Sequence, residues 1–156
     1  MSNKKTIASR KRIAMVAHDN RKAELIEWAE TNRDILLQHE LLATGTTGKM
    51  LEEALQVKVE KFMSGPLGGD QQIGSRIAHG SIDMLIFFWD PMQAQPHDTD
   101  VKALLRLSVA WNILLACDRA TADFLISSPY MNTSYQAILP DYTDYLNREI
   151  GDPGED

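Results

Sequence analysis

The sequence predicts an α/β fold in which one doubly wound parallel sheet lies between two layers of helices. Short apolar runs alternate along the chain with segments whose apolar residues have helical spacing. The runs are nearly continuous in apolar residues, which is typical of parallel strands buried on both faces. Right-handed crossovers between such strands favour a three-layer α/β/α sandwich. A chain of 156 residues suits a single domain.

Five apolar runs are the strand candidates of this sheet. They cover residues 13–17, 41–43, 59–63, 84–89 and 113–116. Residues 135–139 are a candidate for a last strand. We expect a flavodoxin-like strand order within the sandwich.

Between the strand candidates, the apolar residues are spaced as in amphipathic helices. The predicted helices cover residues 21–32, 47–55, 71–79, 99–111, 121–127 and 141–149. We therefore expect one domain over residues 11–150. It would be preceded by a tail of residues 1–10 and followed by an acidic tail of residues 151–156.

The charge balance argues against nucleic acid as a partner. The net charge is −6, whereas binding to a phosphate backbone requires a basic face. One basic cluster lies near the N-terminus, and we interpret it as a solvated arm. It consists of Lys4, Lys5, Arg10, Lys11 and Arg12.

Cysteine content and apolar run lengths predict a cytoplasmic protein. The single cysteine, Cys117, excludes an intrachain disulfide, and we interpret it as a buried, inert thiol. The longest apolar run, residues 84–89, is far shorter than the ~20 residues of a membrane-spanning helix, so no membrane partner is expected. The N-terminus has no apolar signal-peptide core.

A polar cluster follows each of the five apolar runs. The clusters are His18-Asp19, Thr44-Gly45-Thr46-Thr47-Gly48, the loop from Ser64 to Asp70, the loop from Asp90 to Asp100, and the segment from Asp118 to Asp123. Ligands of open parallel sheets bind outside the carboxyl ends of the strands, so all five clusters should line one edge. Their hydroxyls, glycines, lysine, histidines and aspartates predict a pocket for a small phosphorylated molecule.

Two of these clusters are glycine-bearing loops that precede predicted helices. Glycine lets the backbone approach an anion, and the exposed N–H groups of a helix N-terminus favour negative charge. The loop at Thr44–Gly48 is therefore a phosphate-binding candidate, although it lacks the Walker pattern and a capped turn is the alternative. For Asp70, which closes the second loop, the alternative is a helix N-cap.

The remaining clusters carry titratable groups. Asp90, His97, Asp98 and Asp100 fall in one loop, where a histidine beside aspartates can relay protons. Their spacing is not diagnostic of a metal site, and a solvated acidic loop is the alternative. Lys22 follows His18-Asp19 and is a candidate phosphate contact or a solvated lysine. We assign no role to the remaining histidines, His39 and His79.

Six motifs, taken in order, resemble the methylglyoxal synthase family over roughly residues 10–148. They are Val16-Ala17-His18-Asp19, Ala43-Thr44-Gly45-Thr46-Thr47-Gly48, Ser64-Gly65-Pro66-Leu67-Gly68-Gly69-Asp70-Gln71-Gln72, Phe87-Phe88-Trp89-Asp90-Pro91, Pro96-His97-Asp98 and Asp100-Val101-Lys102-Ala103-Leu104-Leu105-Arg106. Each motif alone is weak, whereas six at matching spacing are highly specific.

The resemblance implies a lyase that converts dihydroxyacetone phosphate to methylglyoxal and inorganic phosphate. It implies no metal or organic cofactor, a homohexamer, and inhibition by free phosphate that is often cooperative. By position Asp70 matches the catalytic base and His97 the catalytic histidine. Other positions match substrate or phosphate contacts: His18, Lys22, Thr44, Gly45, Thr46, Thr47, Ser64 and Gly65. Supporting polar residues are Asp19, Asp90 and Asp100, and Arg106 matches an arginine linked to communication between subunits.

The sequence departs from the family pattern around the predicted strand at residues 113–116. Leu114, Cys117 and Asp118 stand where the family usually has proline, threonine and asparagine. Asp118 places an extra negative charge near the ligand edge, and the match of Arg148 to a family arginine is loose.

Two other functions use similar folds. A regulatory ligand-binding domain, as in carbamoyl phosphate synthetase, would keep the phosphate edge without needing Asp70, His97 and Asp100. A phosphoacceptor receiver domain needs an aspartate at the end of the third strand, where this chain has Ser64.

Overall fold

The computed structural model describes residues 3–92 and 98–147, and of Asp98, Thr99 and Asp100 it describes the backbone alone. The strands are β1 Lys4–Ile7, β2 Arg12–Ala17, β3 Glu40–Ala43, β4 Glu60–Lys61, β5 Met84–Phe88, β6 Leu114–Ala116 and β7 Tyr135–Ile138. The helices are α1 Lys22–Thr31, α2 Arg33–Leu36, α3 Gly45–Leu55, α4 Gly69–Ala78, α5 Asp98–Ala110, α6 Arg119–Ile126 and α7 Thr143–Asn147.

Five strands form one parallel sheet in the order β4-β3-β2-β5-β6. The parallel α/β prediction is confirmed, but the flavodoxin-like strand order is wrong. Counted along the chain, the five strands are arranged 3-2-1-4-5, as in the first half of a Rossmann sheet. The chain reverses its direction of travel after β4, when α4 carries it back across the sheet to β5. The topological switch point therefore lies between β2 and β5.

Helices pack on both faces of this sheet, as the apolar strands predict. On one face Leu25 and Trp28 of α1 join Leu51 of α3 in a fully buried core. On the other face Ile73 of α4 and Leu104 of α5 are buried against the opposite side chains of the same strands. Because each central strand is covered twice, β2 is apolar after Arg12 and β5 is apolar throughout, which explains their hydrophobic runs.

The edge strand β4 differs from its prediction. The sequence pattern predicts a strand over residues 59–63, whereas the structure has only Glu60–Lys61, and both side chains are exposed. A short, charged strand at the edge of a sheet discourages pairing with another chain.

The N-terminal segment also differs from its prediction as a tail. Strand β1 pairs antiparallel with β7, so residues 4–7 belong to a separate two-stranded sheet. Lys11 is buried and Arg12 forms an ion pair with Asp83. The basic cluster is therefore not a solvated arm at these two positions, because both cations have acceptors within the fold.

Candidate active site

The described residues of the polar clusters lie where the five parallel strands end, at the carboxyl edge of the sheet. His18 follows β2, Thr44 follows β3 and Asp118 lies just beyond β6. The sequence predicts this convergence from the strand pattern, and the topology agrees with it.

His18 and Asp90 meet at the topological switch point. The Asp90 backbone N–H donates to His18 Nδ1 at 3.0 Å, so a neutral ring carries its proton on Nε2. The buried ring packs edge-on against Phe87, with ring centroids 5.4 Å apart. The Asp90 carboxylate accepts hydrogen bonds from Asn20 Nδ2 and from the Met92 N–H, both at 3.0 Å. The Asn20 bond, followed by that of Met92, lowers the pKa of Asp90.

Lys22 lies in the first turn of α1 and forms an ion pair with Asp19. The Lys22 side chain is only 17% exposed, whereas that of Asp19 is 94% exposed. The hydrogen bond from Lys22 lowers the pKa of Asp19. The fold therefore presents the ammonium at the carboxyl edge, paired with a carboxylate that is almost fully in water.

The threonine loop leads directly into helix α3. Thr44 has an extended backbone at the helix cap, and the helix begins at Gly45. The first N–H groups of an α-helix have no partner within the helix, so this terminus is suited to an anion. Thr46 is exposed and Thr47 is buried. Among residues 3–92 and 98–147, no group bonds the buried Thr47 hydroxyl, which makes it a candidate ligand contact.

The second glycine loop packs against the first through the backbone. The Gly45 N–H donates to the Met63 carbonyl at 3.3 Å, and a Cβ at Gly45 would lie 3.1 Å from the Phe62 carbonyl oxygen. A Cβ at Gly69 would lie 1.9 Å from the Met63 oxygen, which no side chain permits. Glycine at these positions therefore allows the two loops to form one continuous surface. Ser64 and Gly65, which follow Met63, are half-buried on it.

Asp70 lies in the first turn of α4, beneath this second loop. Its side chain is 3% exposed, and its Oδ1 lies 3.3 Å from where a Cβ of Gly65 would be. The N-cap position of α4 belongs to Gly68, whose φ of 114° is left-handed. The alternative interpretation of Asp70 as an N-cap is therefore not supported. The carboxylate is instead enclosed by the loop that precedes it.

Several predicted residues lie elsewhere or outside the described part of the chain. His97 and Arg148 lie outside the described residues, as does the side chain of Asp100. The Asp100 backbone belongs to the first turn of α5. Arg106 is exposed on the same helix.

Asp118 and Cys117 have structural explanations. Asp118 is the N-cap of α6 and accepts from the Thr121 N–H at 2.8 Å. This hydrogen bond lowers the pKa of Asp118. Cys117 is partly buried, and its burial raises the pKa of the thiol. A protonated thiol is a poor nucleophile, which agrees with the prediction that Cys117 is inert.

Three residues that stabilise the loops at this edge are not predicted from the sequence. Gln72 Oε1 accepts from the Met63 N–H at 2.9 Å and so ties the second loop to α4. Asn20 holds Asp90, and the Arg21 guanidinium donates to the Trp89 carbonyl at 3.1 Å. Gln72 and Asn20 each lie within two residues of a predicted site residue. The only sequence signal for these residues is that they lie close to predicted site residues. This signal does not indicate which group each of them bonds.

Within the described ranges, no group of three or more His, Cys, Asp or Glu side chains is arranged to hold a metal ion. In the same part of the chain, no helix is long and apolar enough to cross a membrane. The described site combines an enclosed carboxylate with two backbone-lined loops and a lysine. Such an arrangement can bind an anionic group and remove a proton from a neighbouring carbon.

Comparisons with known proteins point to one family. Residues 24–117 match the family model described as "MGS-like domain". The chain is 54% identical over 139 residues to a methylglyoxal synthase of Leptospira interrogans, covering 89% of this chain and 94% of that one. It is 56% identical over 149 residues to a methylglyoxal synthase of Sodalis glossinidius, covering 96% and 97%.

A solved structure gives the same result for the fold. The crystal structure of methylglyoxal synthase from Elizabethkingia anophelis NUHP1 superposes with a TM-score of 0.91 at 58% identity, covering 96% of this chain and 98% of that one. Sequence and fold thus agree over almost the whole length. The chain is a lyase and belongs to the methylglyoxal synthase family.

Proposed function

We propose that this lyase converts dihydroxyacetone phosphate to methylglyoxal and inorganic phosphate, with Asp70 as the base. The observation that carries the proposal is the enclosed Asp70 carboxylate, 3% exposed, directly beneath the backbone of Gly65. Its neighbours are two glycine loops that join at Gly45 and Met63. A substrate phosphate held by these loops would bring its adjacent carbons next to the carboxylate.

The first step removes a proton from the carbon that bears the free hydroxyl. Asp70 takes this proton, the C–H electron pair forms a double bond to the former carbonyl carbon, and an enediolate results. His97 is proposed to donate hydrogen bonds to the enediolate oxygens, a role that rests on the sequence resemblance because this residue lies outside the described ranges. General acid–base catalysis by such groups contributes roughly 10²- to 10⁴-fold.

The second step breaks the C–O bond to phosphate. The enediolate electrons form the aldehyde carbonyl and a new C=C bond as the C–O bond breaks, and the hydroxyl proton of the enediolate passes to the phosphate, which leaves as its dianion. The enolate that remains takes up a proton from water at its terminal carbon to give methylglyoxal, and loss of the proton from Asp70 restores the carboxylate. This elimination is fast only if the breaking bond stands out of the enediolate plane, so orientation decides the product. We assign this orientation to Ser64, Gly65 and the threonine loop, with hydrogen-bond donors including the Thr47 hydroxyl and the backbone N–H groups of Thr46 and Thr47.

Lys22 is proposed to offset the charge of the departing phosphate. Its ammonium is paired with Asp19, which is 94% exposed. Because the Asp19 carboxylate lies almost fully in water, it loses little when it leaves the pair, and a phosphate dianion can replace it as the partner of Lys22. His18 Nδ1 accepts from the Asp90 N–H, and we assign the Nε2–H of its neutral ring to a hydrogen bond with the substrate.

The assembly and regulation of the enzyme are proposals from the family resemblance. We propose a cytoplasmic homohexamer in which inorganic phosphate competes with substrate and Arg106 takes part in communication between subunits. The exposed position of Arg106 on α5 is compatible with an intersubunit contact. Light scattering gives the oligomeric state, and initial rates at several phosphate concentrations give the cooperativity.

The test is a coupled assay of methylglyoxal and phosphate release from dihydroxyacetone phosphate, without added metal. We expect equal release of both products by the wild type and a kcat lower by about 10²- to 10⁴-fold in Asp70→Asn. Asp34→Asn is the matched control, because Asp34 is an exposed aspartate in α2 and should retain full activity.

Two results would contradict the proposal. Near-normal turnover by Asp70→Asn would exclude the carboxylate as the base. No product from the wild type, with inorganic phosphate still bound in calorimetry, would favour the regulatory-domain function instead.

A further inference from the structure

A cavity lies away from the carboxyl edge, between the two-stranded sheet and the five-stranded sheet with its helices. Its volume is about 260 Å³. Ile7 of β1 and Tyr135 of β7 line one side, and Leu125 of α6 lines the other. Leu114 opens β6 at the amino edge of the sheet. The cavity is therefore separated from Asp70 and the glycine loops by the length of the parallel strands.

Lys11 is the charged residue that lines this cavity. The residue is 1% exposed, and its ammonium donates to the carbonyls of Ala8 and Thr133 at 3.1 and 3.0 Å. An ammonium has three N–H donors, so one remains after these two bonds among the described residues. Burial lowers the pKa of Lys11, which reflects a cation held mostly by neutral acceptors.

Lys11 has no carboxylate within ion-pair distance in residues 3–92 and 98–147. Asp83 favours its charged form from a greater distance, but that carboxylate is bonded to Arg12 at 3.0 Å. A buried cation without an anionic partner is costly, whereas a charge-assisted bond to a carboxylate is among the stronger hydrogen bonds. The Lys11 ammonium therefore makes one end of the cavity cationic, and a small anion bound there would supply the missing ionic partner.

Apart from Asn112 and Ser128, the rest of the lining is apolar or aromatic. Met131 is 2% exposed and lies in the cavity wall. Tyr130 and Tyr135 stand with ring centroids 5.0 Å apart at 59°, and both are partly exposed. The Ser128 hydroxyl accepts from the Tyr130 N–H at 3.1 Å. An engineered apolar cavity of about 150 Å³ in another protein admits benzene, so the larger volume here can admit a substituted ring.

We propose that this cavity binds a small carboxylate with a ring-sized apolar body. The carboxylate bonds to the Lys11 ammonium, and the body packs between Leu125, Met131 and the two tyrosine rings. The site is distinct from the proposed catalytic site and does not depend on the reaction assigned to that site.

Methionine methyl NMR tests this site with benzoate as the probe. Met131 reports on the cavity, and Met63, which directly precedes the second glycine loop, reports on the carboxyl edge. We expect benzoate to shift the Met131 methyl in a saturable manner and to leave Met63 unchanged, whereas inorganic phosphate should shift Met63. Benzyl alcohol, the neutral analogue, should bind at least tenfold more weakly than benzoate.

Two variants identify the contacts. Lys11→Met keeps the aliphatic stem but removes the charge, and it should weaken benzoate binding at least tenfold without changing the affinity for benzyl alcohol. Tyr135→Ala, at a partly exposed position, should weaken the binding of both probes and serves as the test if Lys11→Met does not fold. The proposal is overturned if benzoate shifts Met63 rather than Met131, if neither methyl shifts, or if the folded variants bind benzoate like the wild type.

Discussion

The two edges of the five-stranded sheet hold their polar groups in different ways. At the amino edge, Asp83 is 1% exposed and accepts from the Arg12 backbone N–H and from both Nε and Nη2 of its guanidinium, at 2.8 to 3.1 Å. At the carboxyl edge, the Thr47 hydroxyl is equally buried but has no partner among the described residues. Buried polar groups whose hydrogen bonds are made within the protein therefore stabilise the fold. A buried donor without such a bond is suited to binding a ligand.

Glycine substitutions give the largest expected difference between the edges. In Gly69→Ala the new Cβ would lie 1.9 Å from the Met63 carbonyl oxygen, so the second glycine loop must move. We expect a loss of about 3 kcal/mol in the free energy of unfolding, together with most of the activity. Gly80→Ala, near the amino edge, meets no atom within 4 Å, and only its left-handed φ of 75° opposes the methyl.

Urea unfolding and initial rates measure this pair of variants. Gly80→Ala should lose about 1 kcal/mol of stability and keep its turnover. If Gly69→Ala were no worse than Gly80→Ala in both measurements, the close packing of Gly69 on the Met63 carbonyl would not matter for the site.

Removal of the Asp83 charge should cost stability but not catalysis. Asp83→Asn weakens three hydrogen bonds to Arg12 in a buried position, so we expect a loss of about 2 kcal/mol in the free energy of unfolding. The matched control is Glu60→Gln, which weakens an exposed pair with Arg76 at 3.0 and 3.1 Å. That variant should lose less than about 1 kcal/mol. Equal losses would show that burial does not distinguish the two ion pairs.

Thr47→Val tests whether the Thr47 hydroxyl forms a hydrogen bond to the substrate. Valine has the same shape, so the fold loses no hydrogen bond among the described residues, and stability should be unchanged or slightly higher. The KM for dihydroxyacetone phosphate should rise about tenfold, which corresponds to one hydrogen bond to a charged group.

Ser108→Ala is the control for this hydroxyl. Ser108 is equally buried, but its hydroxyl donates to the Leu104 carbonyl at 2.8 Å. Stability should fall by up to about 1 kcal/mol while KM stays the same. A KM change in Ser108→Ala but not in Thr47→Val would reverse our assignment of the two hydroxyls.

The position of the polar clusters at the carboxyl edge could be predicted from local sequence patterns, although the role of each cluster had an alternative interpretation. An unbroken apolar run followed by a glycine loop and a helix determines where the loop lies once the strands are parallel. The strand order could not be predicted in this way, because it depends on which strands pair and not on the pattern within each strand. The structure therefore corrects the order while leaving the polar clusters at the predicted edge.

The amino edge was largely missed, since its contacts join residues far apart in sequence. Strand β1 forms only because β7, about 130 residues later, supplies its partner. The sequence predicts a solvated cation at Lys11, whereas Thr133 supplies one of its carbonyl acceptors. His39 received no role, although its Nδ1 accepts from the Lys11 N–H at 2.9 Å and its Nε2 lies 2.9 Å from Asn132 Oδ1. Local spacing carries no information on such contacts.

His39 leads to the smallest predicted effect, a dependence of stability on pH. A neutral ring fits both of its contacts, because Nδ1 accepts and Nε2–H donates, whereas protonation would place a hydrogen against the Lys11 N–H. Burial lowers the pKa of His39 below its usual 6.5 in the folded state. The unfolded chain therefore binds the proton more readily, so this contribution to stability is complete above about pH 6.5 and declines as the pH falls.

The measurement is urea unfolding at pH 7.5 and 5.5 for the wild type, His39→Gln and His79→Gln. All three lose stability at the lower pH, since carboxylates that are bonded in the folded state also begin to titrate. The loss should be smaller in His39→Gln by up to about 1 kcal/mol, because one proton over one pH unit is worth about 1.4 kcal/mol. His79 is exposed, so His79→Gln should follow the wild type. If only His79→Gln reduced the loss of stability at pH 5.5, the pH dependence would come from the exposed His79 and not from the buried His39 at the amino edge.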